Sequence, residues 1–153
     1  MRQTYQTQFL LLPSFLSDFQ EAQELEQMSQ VLDDHPDIAE LVLQDLVTDT
    51  DADVGRAGLT ADQVLRLGLL KQLRGFSYAE LPFQIADSMS VRRFVRIGMT
   101  DDIPSDTTIW ENITAVRPET WLKIVQRIAE AHGGTLRAES AGGVGSTFCI
   151  LLP

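Results

Sequence analysis

The sequence predicts a mainly α fold: a helical bundle with a helix-turn-helix-like segment, followed by a C-terminal helix and a two-stranded antiparallel β-hairpin. Apolar residues recur at intervals of three and four along most of the chain, which is the period of an amphipathic helix. Helix-start signals follow one another closely between residues 59 and 121. After residue 134 this pattern gives way to two short runs separated by glycines, as expected of a hairpin.

The beginning of the chain, residues 1–53, is interpreted as an acidic helical lead segment. A first amphipathic helix is predicted from apolar residues at helical spacing: Phe19, Ala22, Leu25, Met28 and Leu32. Residues 33–36 should end this helix, because they place two acids and a histidine directly before a proline. A second, shorter helix is predicted from Ile38, Leu41, Val42 and Leu46.

Two acidic clusters in this segment invite a metal-binding hypothesis. Asp49, Asp51 and Asp53 have the alternate spacing that opens a calcium loop. Such a loop needs a glycine at its sixth position and a glutamate at its twelfth, where this chain has Val54 and Thr60. We therefore interpret this run as a solvated linker, and the acids at 33 and 34 as a helix end. No metal site is predicted.

The segment 54–121 contains the clearest helix boundaries. Thr60 with Gln63, and Ser77 with Glu80, have the spacing of a capping box, in which each side chain binds the backbone amide of the other residue. Ser90 is a third candidate cap. Apolar residues of helical period lie between the first two caps: Val64, Leu65, Leu67, Leu69, Leu70 and Leu73. Gly75 stands where a helix stop is expected, so the unit reads as helix, tight turn, helix.

The charge distribution separates this segment from the rest of the chain. A net charge of −10 argues against a nucleic-acid partner, because phosphates bind Lys and Arg. Residues 18–53 hold twelve acids and no Lys or Arg, whereas residues 54–99 hold seven Lys or Arg and three acids. One basic island therefore lies inside an acidic protein.

The candidate DNA-binding residues belong to this island: Lys71, Arg74, Arg92, Arg93 and Arg96. Lys71 and Arg74 lie near the end of the Thr60 helix, where they also favour its dipole. Arg92 and Arg96 are four residues apart and should share one exposed helix face, with Phe94 and Ile97 directed toward a core. Such a helix can lie along phosphates. An ordinary solvated face is the alternative.

The same stretch resembles the N-terminal domain of bacterial insertion-sequence transposases of the DDE type. Motif positions match in order: Gly75-Phe76-Ser77, Glu80-Leu81, Asp87-Ser88, Ser90, Arg92-Arg93-Phe94, Gly98 and 102–108. The resemblance covers about residues 1–121 and implies a helical, DNA-associated domain without chemistry of its own. In that family the catalytic acids belong to a separate RNase H-like domain, so Asp101, Asp102 and Asp106 are interpreted as a turn. The predicted helix after it is capped by Ser105 or Asp106, with Ile109, Trp110, Ile113 and Val116 on its apolar face. No catalytic residue is predicted.

Residues 122–153 resemble a different family, the C-terminal end of the GHKL ATPase domain of sensor histidine kinases. Matching positions are Leu122, Ile124-Val125, Ile128, Glu130, His132-Gly133-Gly134, Glu139-Ser140, Gly143, Gly145-Ser146-Thr147-Phe148 and Leu152-Pro153. The resemblance implies a remnant cofactor site at Gly143, Gly145, Ser146 and Thr147. The family's Asn-bearing helix and adenine-binding segment have no counterpart upstream, so we expect no ATP, no other cofactor and no enzymatic activity.

The sequence therefore predicts a transposase-like, DNA-associated domain without a catalytic core, fused to an incomplete kinase tail. We expect DNA to bind weakly and with strong salt sensitivity. The alternatives are a kinase-like nucleotide-binding protein and an insertion-event fusion without function. The hairpin lacks its parent sheet, which makes a homodimer through it or through the helices a further hypothesis. The absence of a long apolar run and the single cysteine predict a cytoplasmic protein without a membrane partner.

Overall fold

Helices make up most of the structure, a computed structural model that describes residues 19–48, 58–133, 135–140 and 146–151. Within these ranges there are seven helices: α1 (Gln20–Asp34), α2 (Asp37–Thr48), α3 (Ala61–Arg74), α4 (Leu81–Asp87), α5 (Met89–Phe94), α6 (Asp106–Ala115) and α7 (Pro118–Ala131). The prediction of a mainly α fold is confirmed. None of the described helices is long and apolar enough to cross a membrane.

The two ends of α3 are set by local hydrogen bonds that the sequence predicts. The Thr60 hydroxyl accepts a hydrogen bond from the Gln63 amide at 3.2 Å, and the Gln63 side chain accepts one from the Thr60 amide at 3.0 Å. Gly75 ends the helix with a φ of +69°, a conformation that costs glycine little, and its amide donates to the Lys71 carbonyl. Both the capping box and the stop are confirmed.

The later helix starts are confirmed in part. Glu80 accepts hydrogen bonds from the amide and the hydroxyl of Ser77 at 2.7 and 2.8 Å, and the Ser77 hydroxyl accepts one from the Glu80 amide, so the predicted pair forms. It closes the turn before α4 and does not cap the helix, whose N-cap is Glu80. Of the two predicted caps of α6, Ser105 and Asp106, the structure shows Ser105. The prediction for Ser90 is wrong, because Ser88 caps α5 and accepts from the Val91 amide, while Ser90 lies inside the helix.

The hydrophobic core is organised around α3. Its residues 64–67 and 70 are at most 1% exposed, so this helix is enclosed on nearly all sides. The other six helices each contribute buried residues to the same cluster, which includes Leu25 of α1, Ile38 of α2 and Ile124 of α7. The segments that composition separates at residues 53 and 121 therefore pack together.

Three residues predicted on apolar helix faces lie at the surface instead. Phe19 is 64% exposed, Leu73 54% and Trp110 50%. By contrast, Trp121 packs onto α3, where a Cβ built on Gly68 would lie 2.2 Å from the indole Cη2. Only glycine leaves room for this ring, so the Trp121 contact fixes α7 against α3.

The C-terminal backbone forms two antiparallel strands, β1 (Thr135–Ser140) and β2 (Ser146–Leu151). Thr135 is opposite Leu151, and Ser140 is opposite Ser146. The connection between them and the side chains of both strands lie outside the described residues. The packing of the hairpin side chains and dimerisation through the hairpin stay predictions.

A buried carboxylate joins α2 to the start of α7. The Asp45 side chain is 2% exposed and accepts hydrogen bonds from the Arg117 amide at 2.9 Å and from its guanidinium at 2.5 and 2.8 Å. The hydrogen bonds from the Arg117 side chain, and next those from Thr120, hold the pKa of Asp45 well below its usual range. Arg117 provides no side-chain cap for α7, so Asp45 binds one of the free amides at this helix start.

Asp45→Asn should lower the free energy of unfolding at neutral pH by about 1–3 kcal/mol, because a buried acceptor loses its charge. A lowered folded-state pKa contributes stability above the unfolded pKa of about 3.9, and this contribution is lost as the pH falls below that value. Urea unfolding at pH 7 and pH 3 should show the wild-type advantage shrinking in acid. An equal difference at both pH values would contradict this assignment.

Candidate nucleic-acid interface

Arg92, one of the five predicted DNA-binding residues, is buried. Its side chain donates to the Gly98 carbonyl from Nε at 3.1 Å and from Nη2 at 2.7 Å, and to the Asp101 carbonyl at 3.1 Å. The expectation that Arg92 and Arg96 share one exposed face is therefore wrong. Helix α5 ends at Phe94 and Arg96 has a φ of +56°, so helical periodicity does not extend between the two arginines.

Arg93 and Arg96 are exposed and face acids of α1. The Arg93 guanidinium lies 3.6 Å from a carboxylate oxygen of Glu26. Arg96 is paired with Asp33 of α1, and also with Asp62 of α3 at 3.1 Å. The left-handed conformation of Arg96 is uncommon for a residue other than glycine, and it places the guanidinium between these two carboxylates.

The two cations at the end of α3 have different surroundings. Arg74 donates to the Glu21 carbonyl at 2.8 Å and lies 3.3 Å from the Glu24 carboxylate, so it also faces α1. The ammonium of Lys71 lies 4.7 Å from the centre of the Tyr78 ring, a cation–π contact. Lys71 is thus directed toward the loop before α4.

The structure brings three of the five predicted cations together along α1. We call Arg74, Arg93 and Arg96 the arginine row, because their partners follow one another along the same helix: Glu21 and Glu24, Glu26, then Asp33. Lys71 and Arg92 are directed elsewhere. Between α1 and α5 lies an open cavity of about 330 Å³, lined by Leu25 and Phe94 and by the polar side chains of Ser90 and Arg93.

Arg66, which sequence reasoning did not single out, is fully buried at one end of the row. Its Nε donates to both carboxylate oxygens of Asp62 at 3.1 and 3.0 Å, and Nη2 donates to Asp33 at 2.8 Å. Its Nη1 donates to the Ser29 hydroxyl at 2.8 Å and the Phe94 carbonyl at 3.1 Å. The available signal was a single charge inside the apolar run from Val64 to Leu70.

These bonds join three parts of the fold at one guanidinium. Ser29 and Asp33 belong to α1, Asp62 to α3 and Phe94 to α5. The guanidinium also lies 5.4 Å from the centre of the Phe94 ring. A buried charge is tolerated when its donors are paired, and no buried side-chain donor or acceptor is left unpaired among the described residues.

The predicted cofactor remnant lies largely outside the part of the chain that the structure describes. Gly143 and Gly145 lie outside the described residues, and Ser146 and Thr147 are described only in their backbone. The described side chains include no cluster of three or more potential metal ligands. Asp33, considered above as a metal ligand, binds Arg66 and Arg96 instead.

Arg66→Lys should lower the free energy of unfolding by about 3 kcal/mol or more, because an ammonium cannot bind all the acceptors that surround the guanidinium. Arg93→Lys is the matched control, and it should change stability by less than about 1 kcal/mol because its ion pair is exposed. Urea denaturation at neutral pH measures both. Equal losses would show that the buried network does not hold the helices together.

Comparison with known proteins identifies the family. The family model described as "Transposase domain (DUF772)" matches residues 14–115. A search of curated proteins and a search of solved structures found no significant match. No comparison supports the resemblance of residues 122–153 to a histidine kinase. The matched range contains every residue of the arginine row and spans more than half of the chain, which therefore belongs to the DUF772 transposase-domain family.

Proposed function

We propose that this protein binds DNA through the arginine row, as a helical domain that contributes affinity for the phosphate backbone and no catalytic residue. The observation that supports this most directly is the alignment of Arg74, Arg93 and Arg96 along one helix, where each guanidinium already binds oxygen acceptors. A guanidinium binds phosphate oxygens with the same planar geometry that it uses for carboxylates. Membership of a transposase family makes DNA the relevant polyanion.

The expected binding mode follows from the number and position of these charges. Three phosphate contacts carry no sequence information by themselves, so the row should set the position of the domain on DNA rather than select a site. The net charge of −10 opposes binding at long range and makes the interaction depend on close contact. We therefore expect low affinity and strong weakening by salt.

Arg74→Gln with Arg93→Gln should weaken binding to a labelled DNA duplex and reduce the slope of log affinity against log salt by about 2, one unit for each lost phosphate contact. Lys123→Gln with Arg127→Gln is the control, because it removes the same charge from α7, where Arg127 instead pairs with Asp37. Fluorescence anisotropy over a salt series measures both variants.

Equal slopes of log affinity against log salt for the two double variants would mean that binding depends only on net charge. This result would contradict DNA binding through the arginine row. Circular dichroism of each variant confirms that the helices persist.

The finer proposal, that residues 122–153 derive from a histidine kinase ATPase domain, is supported by the resemblance of its motifs alone. We propose that this tail does not bind nucleotide, because the segments that read adenine and hold magnesium have no counterpart here. The midpoint of thermal unfolding should be unchanged by magnesium and ATP. A clear increase would indicate a functional nucleotide site, because a ligand that binds only the folded state stabilises it.

A further inference from the structure

Helix α1 covers the arginine row with acids. The helix carries five acids and no Lys or Arg. Two of these acids, Glu24 and Glu26, lie 3.3 and 3.6 Å from the guanidinium groups of Arg74 and Arg93. The carboxylates thus occupy positions that the phosphates of bound DNA would need, since a guanidinium cannot pair fully with both. We propose that the first turns of α1 are an internal competitor of DNA, which must move aside before Arg74 and Arg93 can bind phosphates.

The contacts that hold this part of α1 are suited to release. Glu24 and Glu26 are 52% and 63% exposed, so their ion pairs are in contact with solvent and contribute little to stability. The hydrogen bond from Arg74 to the Glu21 carbonyl is likewise exposed. Leu25 is the one fully buried residue of the first two turns. The residue before the helix, Phe19, provides no side-chain cap. The open cavity between α1 and α5 borders these turns.

The other end of α1 is fixed. Arg66 binds Ser29 and Asp33 from inside the core, and Leu32 is buried beside them. A movement that exposes Arg74 and Arg93 can therefore leave the last turns of α1 in place. Phosphates and carboxylates compete for the same guanidinium groups, so the apparent affinity for DNA is reduced by the fraction of molecules in which α1 is closed.

This inference rests on the proposed DNA binding, and one experiment separates the two. Glu24→Gln with Glu26→Gln removes the competing charges and should raise the affinity for a labelled DNA duplex by about two- to tenfold at low salt, as expected for two exposed pairs. The control, Glu40→Gln with Glu111→Gln, changes net charge equally at exposed positions of α2 and α6 that form no ion pair with a described residue. The affinity for DNA should increase more in the Glu24→Gln, Glu26→Gln variant than in the control variant.

Hydrogen exchange of the wild-type protein gives a second readout that needs no variant. When DNA is added, the amides at the start of α1 should exchange faster, while those of α3 stay protected. If the protein binds DNA but both double variants gain equally and α1 exchange is unchanged or slower, α1 is not a competitor. If neither the protein nor any variant binds DNA, the proposed function itself fails.

Discussion

The packing of α1 and α5 against α3 depends on the buried charge of Arg66. Arg66 is enclosed in the core and needs acceptors for its donors, because an unpaired guanidinium in this position would cost several kcal/mol. Asp33, Asp62 and the Phe94 carbonyl meet this requirement from three different helices. Their positions are thereby coupled: α1 and the end of α5 must lie where their oxygens reach the guanidinium. The same requirement places Arg96 beside Asp33 and Asp62, and so fixes one end of the arginine row.

Charge has two distinct uses in this fold, and burial decides between them. Asp45 and Arg66 are buried, fully bonded, and each joins segments distant in sequence. The pairs of Arg74 and Arg93 are exposed to solvent, which screens them and allows exchange with other anions. Arg–carboxylate pairs with a buried partner thus hold helices together at Arg66 and Asp45. The exposed pairs of Arg74 and Arg93 can break and re-form.

The sequence predicts those features whose causes are local. Thr60 and Gly75 act through hydrogen bonds within four residues and through backbone preference, so their roles could be read before the fold was known. The distribution of charge along the sequence likewise indicated the basic island at residues 54–99, which lies in the matched range. The burial of Arg92 could not be predicted from the sequence, because it depends on the left-handed conformation of Arg96 and on the carbonyl groups of Gly98 and Asp101. The role of Arg66 could not be predicted either, because its partner Asp33 is 33 residues away in sequence.

The charges around the arginine row reconcile the proposed DNA binding with the acidity of the chain. Four guanidinium groups, from Arg66 and the row, face four carboxylates, from Glu24, Glu26, Asp33 and Asp62. Their sum is zero, so the closed interface adds nothing to the attraction of phosphates. Displacing Glu24 and Glu26 leaves a local excess of two positive charges against the core, while Asp33 and Asp62 stay bonded to Arg66. In the proposed mode of binding, Glu24 and Glu26 compete with DNA for Arg74 and Arg93, so the acidity of α1 is not an argument against a nucleic-acid partner.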